Sequence, residues 1–157
     1  MKIKCVYTSG KHINLETEKE GYFSKNTDAS YWIKEGNEYF VYGMALGHNG
    51  GLMYLIVSDG GNCHWAPIEF FEITDPLLPI EQYFVLLESN ERMQPRALWG
   101  YKELVEKQDH YQGLWLSEKE DREIFALAKK RIDKDNMYDV PPDKDAFTDW
   151  LKGKPVG

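Results

Sequence analysis

The first half of the chain alternates apolar and polar positions at a period of two, and the second half shifts to helical spacing. Ile3, Cys5 and Tyr7 alternate with Lys4 and Val6, which predicts a short strand. A long polar stretch follows, from Ser9 to about Gly36. A loop of that length inside a compact domain is either functional or carries a hairpin of its own. Glu38 to Leu46, rich in Tyr, Phe and Val, predicts a second strand. Leu52 to Ser58 is almost wholly apolar and predicts a strand buried on both faces. Between them, Gly47-His48-Asn49-Gly50-Gly51 has the composition of a turn. Asp59-Gly60-Gly61-Asn62 predicts a hairpin into a fourth short strand, Cys63 to Ala66. Pro67 to Phe70 suits a 3₁₀ turn, and Phe71 to Thr74 a fifth strand closed by Asp75-Pro76.

Beyond this point the pattern is mixed. Pro79 could open a helix, while Tyr83 to Leu87 reads equally well as a strand. Tyr101 to Lys107 predicts a short helix. Ser117 and Glu120 have the spacing of a capping box ahead of a helix to about Asp133. Its apolar stripe is Ile124, Phe125, Leu127, Ala128 and Ile132. After a linker over 135–142, Asp143 can cap a last helix that buries Phe147, Trp150 and Leu151 and ends at Gly153. The fold class expected is therefore α+β: strands over 1–76, helices over 77–157, packed as one unit.

Composition narrows the work such a fold can do. The chain has 157 residues, of which 42% are hydrophobic and 14% aromatic, enough for a packed core. Its 19 Lys and Arg against 26 Asp and Glu give a net charge of −7. That balance opposes general nucleic-acid binding, which needs a basic face to displace counterions. No apolar run approaches the roughly 20 residues of a membrane helix, and no export signal opens the chain. Both halves are acidic, with 6 basic and 10 acidic residues over 1–75 and 13 and 16 over 76–157. Two cysteines, Cys5 and Cys63, are too few for a disulfide framework and fit a reducing cytoplasm.

The segments Tyr39-Phe40-Val41-Tyr42-Gly43-Met44, Tyr54-Leu55-Ile56-Val57-Ser58-Asp59, Trp65-Ala66-Pro67 and Phe70-Phe71-Glu72-Ile73 follow in the order of small bacterial SH3-like proteins, which the first half resembles. The resemblance implies an SH3-like small β-barrel of five short antiparallel strands. The second half, with Leu98-Trp99-Gly100-Tyr101 and Asp109-His110-Tyr111, looks like the helical C-terminal extension of some bacterial members. Some small acidic proteins of this kind resemble immunity proteins of contact-dependent or polymorphic toxin systems. The Ala-Leu-Tyr-Asp-Tyr signature of peptide-binding SH3 domains is missing, so the resemblance does not extend to polyproline recognition.

Candidate chemistry is sparse. Cys63-His64 lacks the paired spacing of a zinc site, and His12, His48 and His110 supply none. A thiol–imidazole pair formed in space would make the chain a small hydrolase or metal enzyme using Cys63, His64 or His110. Asp109-His110 places a carboxylate beside an imidazole, though sequence neighbours rarely point the same way. The glycine-rich turns match no phosphate-binding motif. The reading that absorbs most of the sequence is a non-enzymatic, cofactor-free protein that binds a basic protein such as a toxin domain. Its contact residues would be acids and aromatics: Glu16, Glu18, Glu20, Tyr22, Phe23, Tyr31 and Trp32 in the first loop, with Asp143, Asp145 and Asp149 near the C-terminus. An accessory subunit or adaptor docking through the loop over 22–32 is the alternative among binding proteins.

Overall fold

The computed structural model describes residues 1–88, 94–107, 109–138 and 149–153. Among the described residues, eight strands, four helices and a further helical stretch at 149–151 form two antiparallel sheets with helices against one of them. The strands are β1 (Lys2–Cys5), β2 (Glu38–Phe40), β3 (Gly43–Leu46), β4 (Leu52–Val57), β5 (Cys63–Pro67), β6 (Phe71–Asp75), β7 (Tyr83–Leu86) and β8 (Ala97–Gly100). The helices are α1 (Leu15–Glu20), α2 (Lys102–Glu106), α3 (His110–Trp115) and α4 (Lys119–Asp135). One sheet runs β2-β1-β6 and the other β5-β4-β3-β8-β7. The α+β class is as expected; a closed barrel of five strands is not what forms among the described residues.

Three differences from the sequence expectation have physical causes. First, the strand expected over 38–46 is divided between the sheets. Val41 N–H donates to Met1 O (3.2 Å) in the smaller sheet, while Tyr42 N–H donates to Leu55 O (2.9 Å) in the larger. Their side chains enter different cores: Val41 packs with Ile3, Cys5, Tyr39 and Phe70, and Tyr42 with Leu55, Trp65, Leu104 and Phe125. Second, residues 77–100 do not belong to a helical extension. β7 and β8 pair with each other, and β8 pairs with β3, widening the sheet begun by the first half. Third, the long first loop holds a helix. Asn14 Oδ1 caps α1 by accepting from Thr17 N–H (2.8 Å), and Gly21 ends it at φ 84°. An antiparallel bridge between Ser9 and Asp28 closes the neck of that loop.

The central strand β4 is buried along its middle four residues, as its apolar run predicts. One face of the large sheet, carrying Tyr42, Leu55, Trp65 and Leu98, packs on α2, α3 and α4. On the opposite face Tyr54, Ile56 and Ala66 pack on the small sheet. α4 contributes Phe125, Ala128 and Ile132 to the core, but Leu127 points outward and is 70% exposed. The capping box is absent: Ser117 sits at φ 54°, Glu118 takes the N-cap position, and neither side chain caps the helix. Asp143 and Phe147 lie outside the described residues; 149–151 are helical, with Trp150 buried.

Candidate functional site

The cysteine and histidine positions do not converge. Successive residues of a strand point to opposite faces. Cys63 therefore enters the helical core, while His64 stacks on Trp32 on the other side (centroids 4.8 Å, 24°). Burial pushes the Cys63 thiol well above its ordinary range and the His64 imidazole down to about 4, so both are neutral near pH 7. Cys5 is also buried and pushed up to about 11, chiefly by desolvation.

His110 finds partners far from its sequence neighbours. It is fully buried, with Nδ1 2.6 Å from Asp121 Oδ1 and Nε2 2.7 Å from the Tyr101 hydroxyl. A carboxylate only accepts, so Nδ1 carries the proton and the tyrosine O–H donates to Nε2. Desolvation lowers the His110 pKa against the opposing pull of Asp121, which keeps the ring neutral. Asp121 also accepts from Lys107 Nζ (3.2 Å). The order carboxylate–imidazole–hydroxyl resembles a proton relay, but no member opens to a cleft. Its visible work is to tie the start of α2 and α3 to α4. Gly113 belongs to this tie, since a Cβ there would overlap the Asp121 carboxylate.

The residues expected to contact a partner are divided by the fold. Glu16 and Tyr31 are exposed, Tyr31 by 83%, and Glu18 is half-buried. Glu20 is buried, and its Oε1 accepts from Asn49 N–H (2.6 Å) and Gly51 N–H (3.2 Å). It therefore clamps the turn between β3 and β4. Tyr22 stacks on Trp115 (4.3 Å, 12°), and Phe23 lies against the same ring. Trp32 is buried beneath His64. Of the aromatics in the loop over 22–32, Tyr22, Phe23 and Trp32 pack inward and Tyr31 is exposed. Asp149 is half-buried; Asp143 and Asp145 lie outside the described residues.

Two surfaces that pattern reading missed stand out instead. The first is the sheet face at the β7 edge. Phe84, Trp99 and Met44 lie in register across β7, β8 and β3, and Leu86, Ala97 and Leu46 form the next row. These rows continue the face that the small sheet covers over β4 and β5; Met44 still packs against that core and Ala97 is buried, so exposure begins towards β7. Phe84 is 51% and Leu86 70% exposed, and Phe84 rests on Trp99 (4.8 Å). The second is a cleft of about 350 Å³ at the other edge of the sheet. Trp65 and Asn62 line it from the β5 side, Trp115 from α3, Ser117 and Arg122 from the α4 side, and Trp150 from the chain's last described helix.

Charge follows the same division. No lysine or arginine occurs between Lys34 and Arg92, a stretch that supplies β2 to β7. A count of cations by segment would have revealed this gap, which the near-equal acidity of the two halves conceals. No family model, curated protein or solved structure matches the chain. No helix of the described residues is long and apolar enough to cross a membrane.

Proposed function

We propose that the chain is a non-enzymatic protein-binding module of the bacterial cytoplasm, an immunity protein that neutralises a cationic toxin domain. The observation that carries the reading is the apolar patch at the β7 edge, where the exposed Phe84 and Leu86 adjoin the half-buried Leu46 and Trp99. Contiguous apolar surface of this kind is uncommon on a protein that works alone. Its aromatic and long aliphatic side chains are the types that anchor interfaces. The stretch from Glu35 to Glu91 holds no lysine or arginine, and the chain's net charge of −7 favours a basic partner and speeds its encounter. An SH3-like core is part of the same proposal. Its supports are the strand shared between two sheets at Val41–Tyr42 and the 3₁₀ turn, Ile68–Phe70, before β6. On this reading β7 and β8 are an addition to one edge.

The test is titration against the toxin domain encoded by the adjoining gene. Binding is expected to be tight, with an association rate that falls about tenfold between low and high salt. Replacing Phe84→Ser and Leu86→Ser together should weaken it about 100-fold, the scale of losing two interface anchors. Unfolding stability should change by only about 1 kcal/mol, because both side chains are already largely in solvent. Absence of binding at low ionic strength ends the proposal. Self-association through this face, abolished by the same pair of substitutions, would assign it to a homodimer instead.

A further inference from the structure

We infer that β7 is an edge on which the partner builds: the bound protein lays one of its own strands against β7, main chain to main chain. This mode of binding rests on the proposed reading of the chain as a binder of a cationic protein, and it concerns how that partner is held.

The hydrogen-bond alternation of the large sheet leaves one row of β7 unused. Leu87 N–H donates to Arg96 O (2.8 Å) across the β7–β8 pair. Bonded and non-bonded pairs alternate in an antiparallel ladder, so Val85 and Tyr83 also turn their N–H and C=O groups towards β8, opposite Leu98 and Gly100. Phe84 and Leu86 therefore turn theirs outward, where no strand follows, because β7 is the last of its sheet. The other sheet edges among the described residues carry a proline or a charge. β5 ends in Pro67, β6 holds Glu72 and Asp75, and β2 opens with Glu38. β7, Tyr83-Phe84-Val85-Leu86, has neither. An open edge without such guards is a template for pairing with another chain.

The open row and the exposed apolar side chains belong to the same two residues, and that specifies the occupant. Whatever covers Phe84 and Leu86 from the edge also takes water from their N–H and C=O groups, and buried main-chain groups need partners. A helix uses its own main-chain groups internally and cannot supply them. An extended strand offers donor and acceptor at the spacing of alternate residues. Its side chains beside Phe84 and Leu86 must be apolar, since neighbours across a strand pair touch on one face. Glu81 and Glu88, both exposed, flank β7, and Arg96 is the one cation in the β8 stretch paired with it. Lysine or arginine at the ends of the added strand complements those acids. A second copy of this chain would instead bring the same acids and another net charge of −7.

Hydrogen exchange read amide by amide on the full chain is the test. In the free protein the Val85 and Leu87 amides should exchange slowly, and those of Phe84 and Leu86 quickly. Protection of Phe84 and Leu86 in the free protein would mean that the edge is already paired; it overturns the inference and leaves the proposed function standing. Once the toxin domain of the adjoining gene is bound, the Phe84 and Leu86 amides should slow about tenfold or more. A tight complex in which they stay fast also overturns the inference and spares the function. Two variants then separate main chain from side chain. Leu86→Ala keeps the N–H, whereas Leu86→Pro removes it where it faces the open edge, the position at which a strand accepts proline. The proline variant should bind the toxin domain about tenfold more weakly than the alanine variant, the scale of one hydrogen bond. Equal affinities would sink main-chain pairing. Absence of any complex at low ionic strength removes the proposed function and, with it, this mode of binding.

Discussion

At the scale of the residue, burial decides more than neighbourhood does. Asp109, His110 and Tyr111 sit side by side in sequence, yet the partners of His110 are nine and eleven positions away, at Tyr101 and Asp121. The residue types were legible and their pairing was not, because the pairing depends on how α3 packs against α4. Glu20 carries the same lesson: it reads as one of three alternating surface acids, but two backbone amides of the β3–β4 turn claim its carboxylate. A measurable consequence attaches to His64. Its imidazole is pushed down to about 4 by burial, whereas an unfolded histidine protonates near its ordinary value of 6.5. Below pH 6.5 the unfolded chain takes up a proton that the folded chain refuses. Stability is therefore complete above about 6.5, declines as pH falls towards 4, and stops declining from this cause once the folded ring is protonated. With the partial exposure of the ring allowed for, the loss is on the order of 2 kcal/mol. Urea unfolding at stepped pH should show this slope, and His64→Gln should flatten it. His110, lowered in the same direction, contributes to the remaining slope.

At the scale of the element, apolar periodicity located most strands and glycine-rich turn chemistry located both hairpins, and helix capping was the poorer guide. β4 and the 3₁₀ turn at Ile68–Phe70 lie where the pattern puts them. The segment at 83–86 could be read either way, since four apolar residues fit both periods; pairing with β8 decided it. The capping box failed for a geometric reason. Glu118 N–H donates to Gly113 O (2.9 Å) as the chain closes α3, which holds Ser117 in the left-handed region at φ 54°. There its hydroxyl cannot cap α4. A β-carbon at positive φ is strained, so Ser117→Gly should stabilise the protein by about 0.5–1 kcal/mol. Thermal unfolding would measure the gain. A loss of stability would mean that the serine side chain supports the turn. The substitution keeps the backbone carbonyl that holds Arg122, so the cleft should be unchanged.

At the scale of the whole molecule, the α+β class was legible and the arrangement of its parts was not. A boundary at residue 76 follows the change in pattern, but β8 crosses it to pair with β3, and α4 crosses it to pack Phe125 against Tyr42. The core between the two sheets draws only on residues before 76, whereas the core under the helices is shared across that boundary. The apolar face and the cleft are invisible to a one-dimensional reading for the same reason, since each draws on segments distant in sequence. The break in the strand at Val41–Tyr42 has one more effect. Consecutive peptide groups there are fastened to different sheets, so neither sheet can come apart without dragging the other's hydrogen bonds. The protein should accordingly lose its protection from solvent deuterium through one shared opening. In mild denaturant the slowest amides of β1 and of β4 should converge on a single exchange free energy, whereas two separate values would mean that the seam yields on its own.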